Sequence, residues 1–68
     1  MSYTLKKDMK SEIKKKYKCM YIAEQLGKTQ SYISLVINRK LSIPKTTAYA
    51  FTKVLNSEAE IEDYFDRI

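Results

Sequence analysis

One glycine and one proline punctuate this 68-residue chain. Gly27 and Pro44 divide it into three stretches, and each must fold with almost no help from turn residues. Asn-Gly and Asp-Gly, the pairs that close tight hairpins, are missing, and no stretch sustains the apolar–polar alternation of a half-buried strand. Apolar residues recur at helical spacing instead. The pattern predicts an all-α fold of five short helices.

The first helix is expected over about Tyr3 to Lys16, with Ser2 as its N-cap. Leu5, Met9 and Ile13 step by four along one face, opposite Lys6, Lys7, Lys10 and Lys14. A second helix, about Cys19 to Leu26, turns Ile22 and Leu26 inward beside Ala23. Gly27 follows, where a helix end calls for a left-handed residue. Thr29 is placed to cap a third helix, about Gln30 to Arg39. After the loop "RKLSI", Pro44 suits the first turn of a fourth helix that buries Ala48, Phe51 and Leu55. Ser57 and Glu60 have capping-box spacing. They would start a last helix, about Glu58 to Arg67, with Ile61, Tyr64, Phe65 and Ile68 on one side.

A chain this small is one domain, residues 1–68, with a thin core. It has one cysteine and no histidine, so neither an internal disulfide nor a zinc cluster can be built, and no cofactor is expected. Apolar runs such as "MYIA" and "LVI" are too short to span a bilayer. The start, "MSYTLKKDMKSEIKKK", has no apolar stretch after its charges, so it is not expected to act as a signal peptide. These features suggest a cytoplasmic protein.

Charge is unevenly spread. Residues 1–56 carry twelve bases and three acids, whereas residues 57–68 carry one base and five acids. A basic body points to a polyanionic partner, most often nucleic acid. An enzyme is not expected. Cys19 has no histidine to activate it, and Glu58, Glu60, Glu62, Asp63 and Asp66 crowd one short segment as a solvated face.

The stretch "CMYIAEQLGKTQSYISLVIN", about residues 19–38, carries the main motif. Ala23 is small enough for two helices to approach, Gly27 makes the turn between them, and Ile33 and Val36 seal the angle. This resembles the helix-turn-helix of lambda-like phage repressors, Cro proteins and the wider Xre family, over about residues 3–66. The resemblance implies a lambda-repressor-like domain with one helix before the pair and two after it. There are two departures. Lys28 stands where family members usually have an apolar residue, and Cys19 replaces the Gln or Ser that braces a phosphate.

The family likeness also implies that the third helix enters the major groove by its N-terminal end. Gln30, Ser31, Ser34 and Leu35 are then the base-reading candidates: glutamine pairs with adenine, and Leu35, apolar on a polar face, with a thymine methyl. Lys28, Thr29, Tyr32, Asn38, Arg39 and Lys40 are the phosphate-binding candidates. Tyr21 is assigned to packing, and Lys45 fits a clamp and a solvated charge equally.

The expected function is that of a sequence-specific, double-stranded DNA-binding regulator of the Cro/repressor type, encoded by a phage or mobile element of a bacterium. It would act by occluding an operator as a weak, DNA-assisted homodimer. The alternative is an antirepressor or co-regulator that holds another regulatory protein through its last helix, with Tyr64 and Phe65 at the contact.

Overall fold

The computed structural model describes residues 2–68. A strand β1 (Ser2–Leu5) leads into α1 (Met9–Lys16), α2 (Cys19–Leu26) and α3 (Gln30–Ile37). A two-residue strand β2 (Ile43–Pro44), a helix α4 (Lys45–Leu55), a single turn α5 (Ile61–Tyr64) and a strand β3 (Phe65–Arg67) complete it.

The all-α expectation is therefore corrected. The described residues hold five helices, but β1 sits at the centre of a three-stranded sheet in the order β2-β1-β3. Both neighbours run antiparallel to it, with Tyr3 opposite Ile43 on one side and Arg67 on the other. Ser2, expected as a helix cap, lies in this strand. The physical reason is a four-residue alternation: Tyr3 and Leu5 are buried while Ser2 and Thr4 are half-exposed. Leu5 and Ile13 reach the same core as expected, the first from a strand and the second from a helix. The first helix thus starts at Met9, six residues later than anticipated, and has 8 residues.

The last segment is corrected in the same way. After α4, the Asn56 side-chain oxygen accepts the Glu58 N–H at 3.0 Å, which bends the chain away from a helix. The capping box forms three residues later than expected, at Glu60 and Asp63 in place of Ser57 and Glu60. Glu60 and Asp63 cap each other reciprocally, and the Asp63 carboxylate accepts the Glu60 N–H at 2.9 Å. One turn further on the chain becomes β3, because pairing with β1 satisfies its backbone and buries Phe65. That ring meets Phe51 edge to face at 5.5 Å, a favoured aromatic geometry. Pro44, expected inside the first turn of α4, instead closes β2 and stands at the N-cap. An edge strand tolerates proline, which has no N–H to offer a neighbour.

The middle of the chain follows the pattern closely. α2 packs on α3 and α4, and Ile22, Ile33, Val36, Ala48 and Phe51 are fully buried between them. Thr52, buried on α4, donates its hydroxyl to the Ala48 carbonyl at 2.8 Å, so no polar atom is stranded there. At the other end of the core the Tyr17 hydroxyl donates to the Leu55 carbonyl at 2.6 Å, tying the α1–α2 connection to the end of α4. No helix among the described residues is long and apolar enough to cross a membrane.

Candidate nucleic-acid interface

The corner between α2 and α3 fixes everything that α3 presents. Ala23 is buried on α2, and its small side chain allows the close approach of α3, whose Ile33 and Val36 are sealed from solvent. Gly27 ends α2 with φ 66° and ψ 32°, the left-handed conformation that glycine adopts without a steric penalty. The Lys28 N–H then bonds back to the Ala23 carbonyl at 2.9 Å and locks the turn. At the next residue the Thr29 hydroxyl oxygen accepts the Tyr32 N–H at 3.1 Å, capping α3 as anticipated. That bond uses the hydroxyl oxygen as an acceptor and leaves its hydrogen free to donate.

With Ile33, Val36 and Ile37 turned inward, the opposite face of α3 is presented to solvent. Gln30 and Ser31 are exposed in the first turn, and Ser34 is half-buried one turn on. Leu35 is 44% exposed. The base-reading candidates therefore share one outward surface, about 7.5 Å from Gln30 to Leu35 at helical rise.

The phosphate candidates divide into two groups at the ends of that surface. At the N-terminal end, Lys28 is exposed and its ammonium lies 5.4 Å from the centroid of the half-buried Tyr32 ring. That cation–π contact gives a flexible lysine a preferred position beside the helix start. At the C-terminal end stand Arg39 and Lys40, both exposed. Among the described residues none of Lys28, Arg39 and Lys40 has a carboxylate within salt-bridge distance, whereas Lys16 pairs with Glu12 at 3.2 Å on α1. Arg39 itself has φ 61°, a left-handed conformation in which an arginine is strained.

Asn38 stands apart from the other phosphate candidates. Its side-chain nitrogen donates to the Ser34 carbonyl at 2.9 Å and to the Ser34 hydroxyl oxygen at 3.3 Å. Its donors are thus turned along the helix and not outward. Lys45 is exposed at the start of α4, beyond the α3 surface along the chain. Tyr21, assigned to packing from sequence, stacks on Tyr17 with centroids 6.4 Å apart yet remains 47% exposed. Cys19 is half-buried with a free thiol.

Sequence reasoning missed three features here. The Asn38–Ser34 pair has i,i+4 spacing, but spacing alone does not show that the amide turns back to Ser34 instead of outward. The Tyr17 anchor joins residues 38 apart, and no local pattern signals such a bond. The left-handed Arg39 carried no signal because arginine is not a residue that marks that conformation.

Comparison with known proteins finds no matching family model, no matching curated protein and no matching solved structure.

Proposed function

We propose that this chain is a double-stranded DNA-binding regulator of the helix-turn-helix type, reading an operator with the outward face of α3. The observation that carries the reading is one surface. Gln30, Ser31, Ser34 and Leu35 face outward together on a helix held by a tight corner. Cations without carboxylate partners stand at both of its ends. Polar side chains of this kind bond base edges in the major groove, and the flanking cations neutralise phosphates.

The resemblance to Xre and Cro proteins over residues 19–38 supports the same reading, though the N- and C-terminal strands depart from the five-helix form it implied. Binding at an operator would exclude polymerase or a competing repressor. Two copies on a near-palindromic site would set their α3 helices about 34 Å apart, one turn of B-DNA. The protein would then work in the bacterial cytoplasm, on the nucleoid when bound, and a phage or mobile element is the origin that fits its family likeness.

The antirepressor alternative has less surface to draw on. The apolar side it assigned to the last segment is used inside the protein: Phe65 is 2% exposed and Ile61 is buried with it. What remains outside there is mainly acidic, with the half-buried Tyr64 and the exposed Arg67 and Ile68 beside it.

Amide chemical-shift mapping with a random-sequence duplex at low salt tests the proposal. The largest shifts are expected over residues 27–40 and should fade as salt is raised, because phosphate binding releases counterions. Shifts confined to residues 57–68, or none at all, would overturn it.

A further inference from the structure

Asn38 lies one residue beyond α3 and commits its amide to Ser34. The nitrogen reaches the Ser34 carbonyl at 2.9 Å and the Ser34 hydroxyl oxygen at 3.3 Å. The amide nitrogen is thus drawn to the two oxygens of this one residue. A phosphate could claim that nitrogen fully only by pulling it away from Ser34.

The consequence falls on Ser34. Its hydroxyl carries one hydrogen and two lone pairs, and Asn38 occupies one lone pair. A serine within a helix can turn its hydrogen back to the carbonyl four residues earlier. Here the Ser34 hydroxyl makes no bond to Gln30, and its one bond within the described residues is the one it accepts from Asn38. The hydrogen is left for a group outside the protein. An O–H whose oxygen already accepts a bond is polarised and becomes a stronger donor.

We propose that Asn38 is a positioning residue that sets Ser34 as a hydrogen-bond donor, so that the base facing Ser34 carries an acceptor on its major-groove edge and cytosine is disfavoured. This rests on the reading of α3 as a base-reading helix. Guanine presents N7 and O6, adenine N7 and thymine O4, whereas cytosine presents only its amino donor. To accept from cytosine, Ser34 would use its second lone pair and leave its own hydrogen unpaired in a closed interface. An unsatisfied buried donor of that kind is costly.

The test is selection from a randomised duplex library with wild type, Ser34→Ala, Asn38→Ala and Asn38→Asp, each first checked for a native circular dichroism spectrum and cooperative unfolding. The wild type is expected to deplete cytosine roughly tenfold at one position of each half-site, the cost of a typical mismatch. Ser34→Ala should lose preference at that position alone, which locates it. Asn38→Ala should weaken the same preference and leave the salt slope unchanged. Asn38→Asp is the sharpest arm: a carboxylate there accepts the Ser34 hydrogen, turns the oxygen lone pairs outward and should let cytosine in. Its added negative charge would lower affinity for all sequences, and that uniform loss is separable from a change at one position.

Cytosine freely accepted at the position that Ser34→Ala alters would overturn the proposal while the α3 reading survives. So would a uniform loss in Asn38→Ala with a flatter salt slope, since that marks a phosphate ligand. Recovery of no motif by the wild type would overturn the α3 reading and this inference with it.

Discussion

Gly27 and Arg39 close their helices with the same backbone geometry, φ 66° and φ 61°. The bonds around them correspond as well. Lys28 N–H reaches the Ala23 carbonyl and Lys40 N–H the Leu35 carbonyl, each at 2.9 Å. One step inside, Gly27 N–H bonds the Glu24 carbonyl at 3.4 Å and Arg39 N–H the Val36 carbonyl at 3.1 Å. This is the double bond pattern of the Schellman ending, which favours glycine at the left-handed position. α2 has that glycine. α3 has an arginine, at the end of the surface assigned to DNA.

The pair gives opposite expectations for stability. Gly27→Ala meets no atom within 4 Å of the added carbon, so its cost is conformational. Left-handed backbone costs an L-residue about 1–2 kcal/mol, which urea unfolding should read as a lower midpoint with an unchanged slope. Arg39→Gly should raise stability by up to about 1 kcal/mol, the relief of that strain less the extra freedom glycine has in the unfolded chain. It should also weaken DNA binding. A variant that is no less stable yet binds worse would show that the strained arginine is kept for its side chain; unchanged binding would remove Arg39 from the interface.

Lys40→Ala is expected to weaken binding to all duplexes alike and to flatten the salt slope by about one unit. Titrations at several salt concentrations measure both. A loss confined to certain sequences would mean that Lys40 reads a base.

Gln30→Ala is expected to relax selectivity at one position of each half-site, by roughly 1–3 kcal/mol if the glutamine bonds adenine twice. Binding to the wild-type site and to single-base variants of it checks this. Equal losses on every variant would assign Gln30 a role other than base reading.

Tyr17→Phe removes the hydroxyl bonded to the Leu55 carbonyl at 2.6 Å. The expected cost is about 1 kcal/mol, the usual net worth of such a bond, read as a lower melting temperature. Base preference should not change, because the bond ties α1 to α4, away from the outward face of α3. A shift in preference would show that the α1–α4 tie reaches the reading surface.

How much of this was legible depended on the range of the forces involved. α2, its glycine ending and the Thr29 cap are local: Ala23, Gly27 and Thr29 state them within seven residues, and the structure follows. The buried face of α4, with Ala48, Phe51 and Leu55, was equally readable from its spacing. The sheet was not. Tyr3 and Leu5 alternate over only four residues, too few to stand out against the i,i+4 step from Leu5 to Met9 and Ile13. β3 becomes a strand because β1 lies beside it, a partner about sixty residues away in sequence. Such non-local pairing overrides local helical preference and leaves little trace in the segment itself.

The candidate surface was readable for the same reason as α2. Gln30, Ser31, Ser34 and Leu35 fall together whenever α3 is a helix with Ile33 and Val36 inside. What they bond was less so. The direction of the Asn38 amide depends on a rotamer choice, and the strain at Arg39 on how α3 ends. Both are set by atoms, not by spacing.

Selection of a randomised duplex library by the wild-type protein at moderate salt, with sequencing of the retained fraction, tests the central claim most directly. The account predicts a two-fold symmetric motif with half-sites one helical turn apart and informative positions facing Gln30, Ser31 and Ser34. A retained fraction indistinguishable from the input would contradict it, and the α3 face would then have no claim to be a DNA reader.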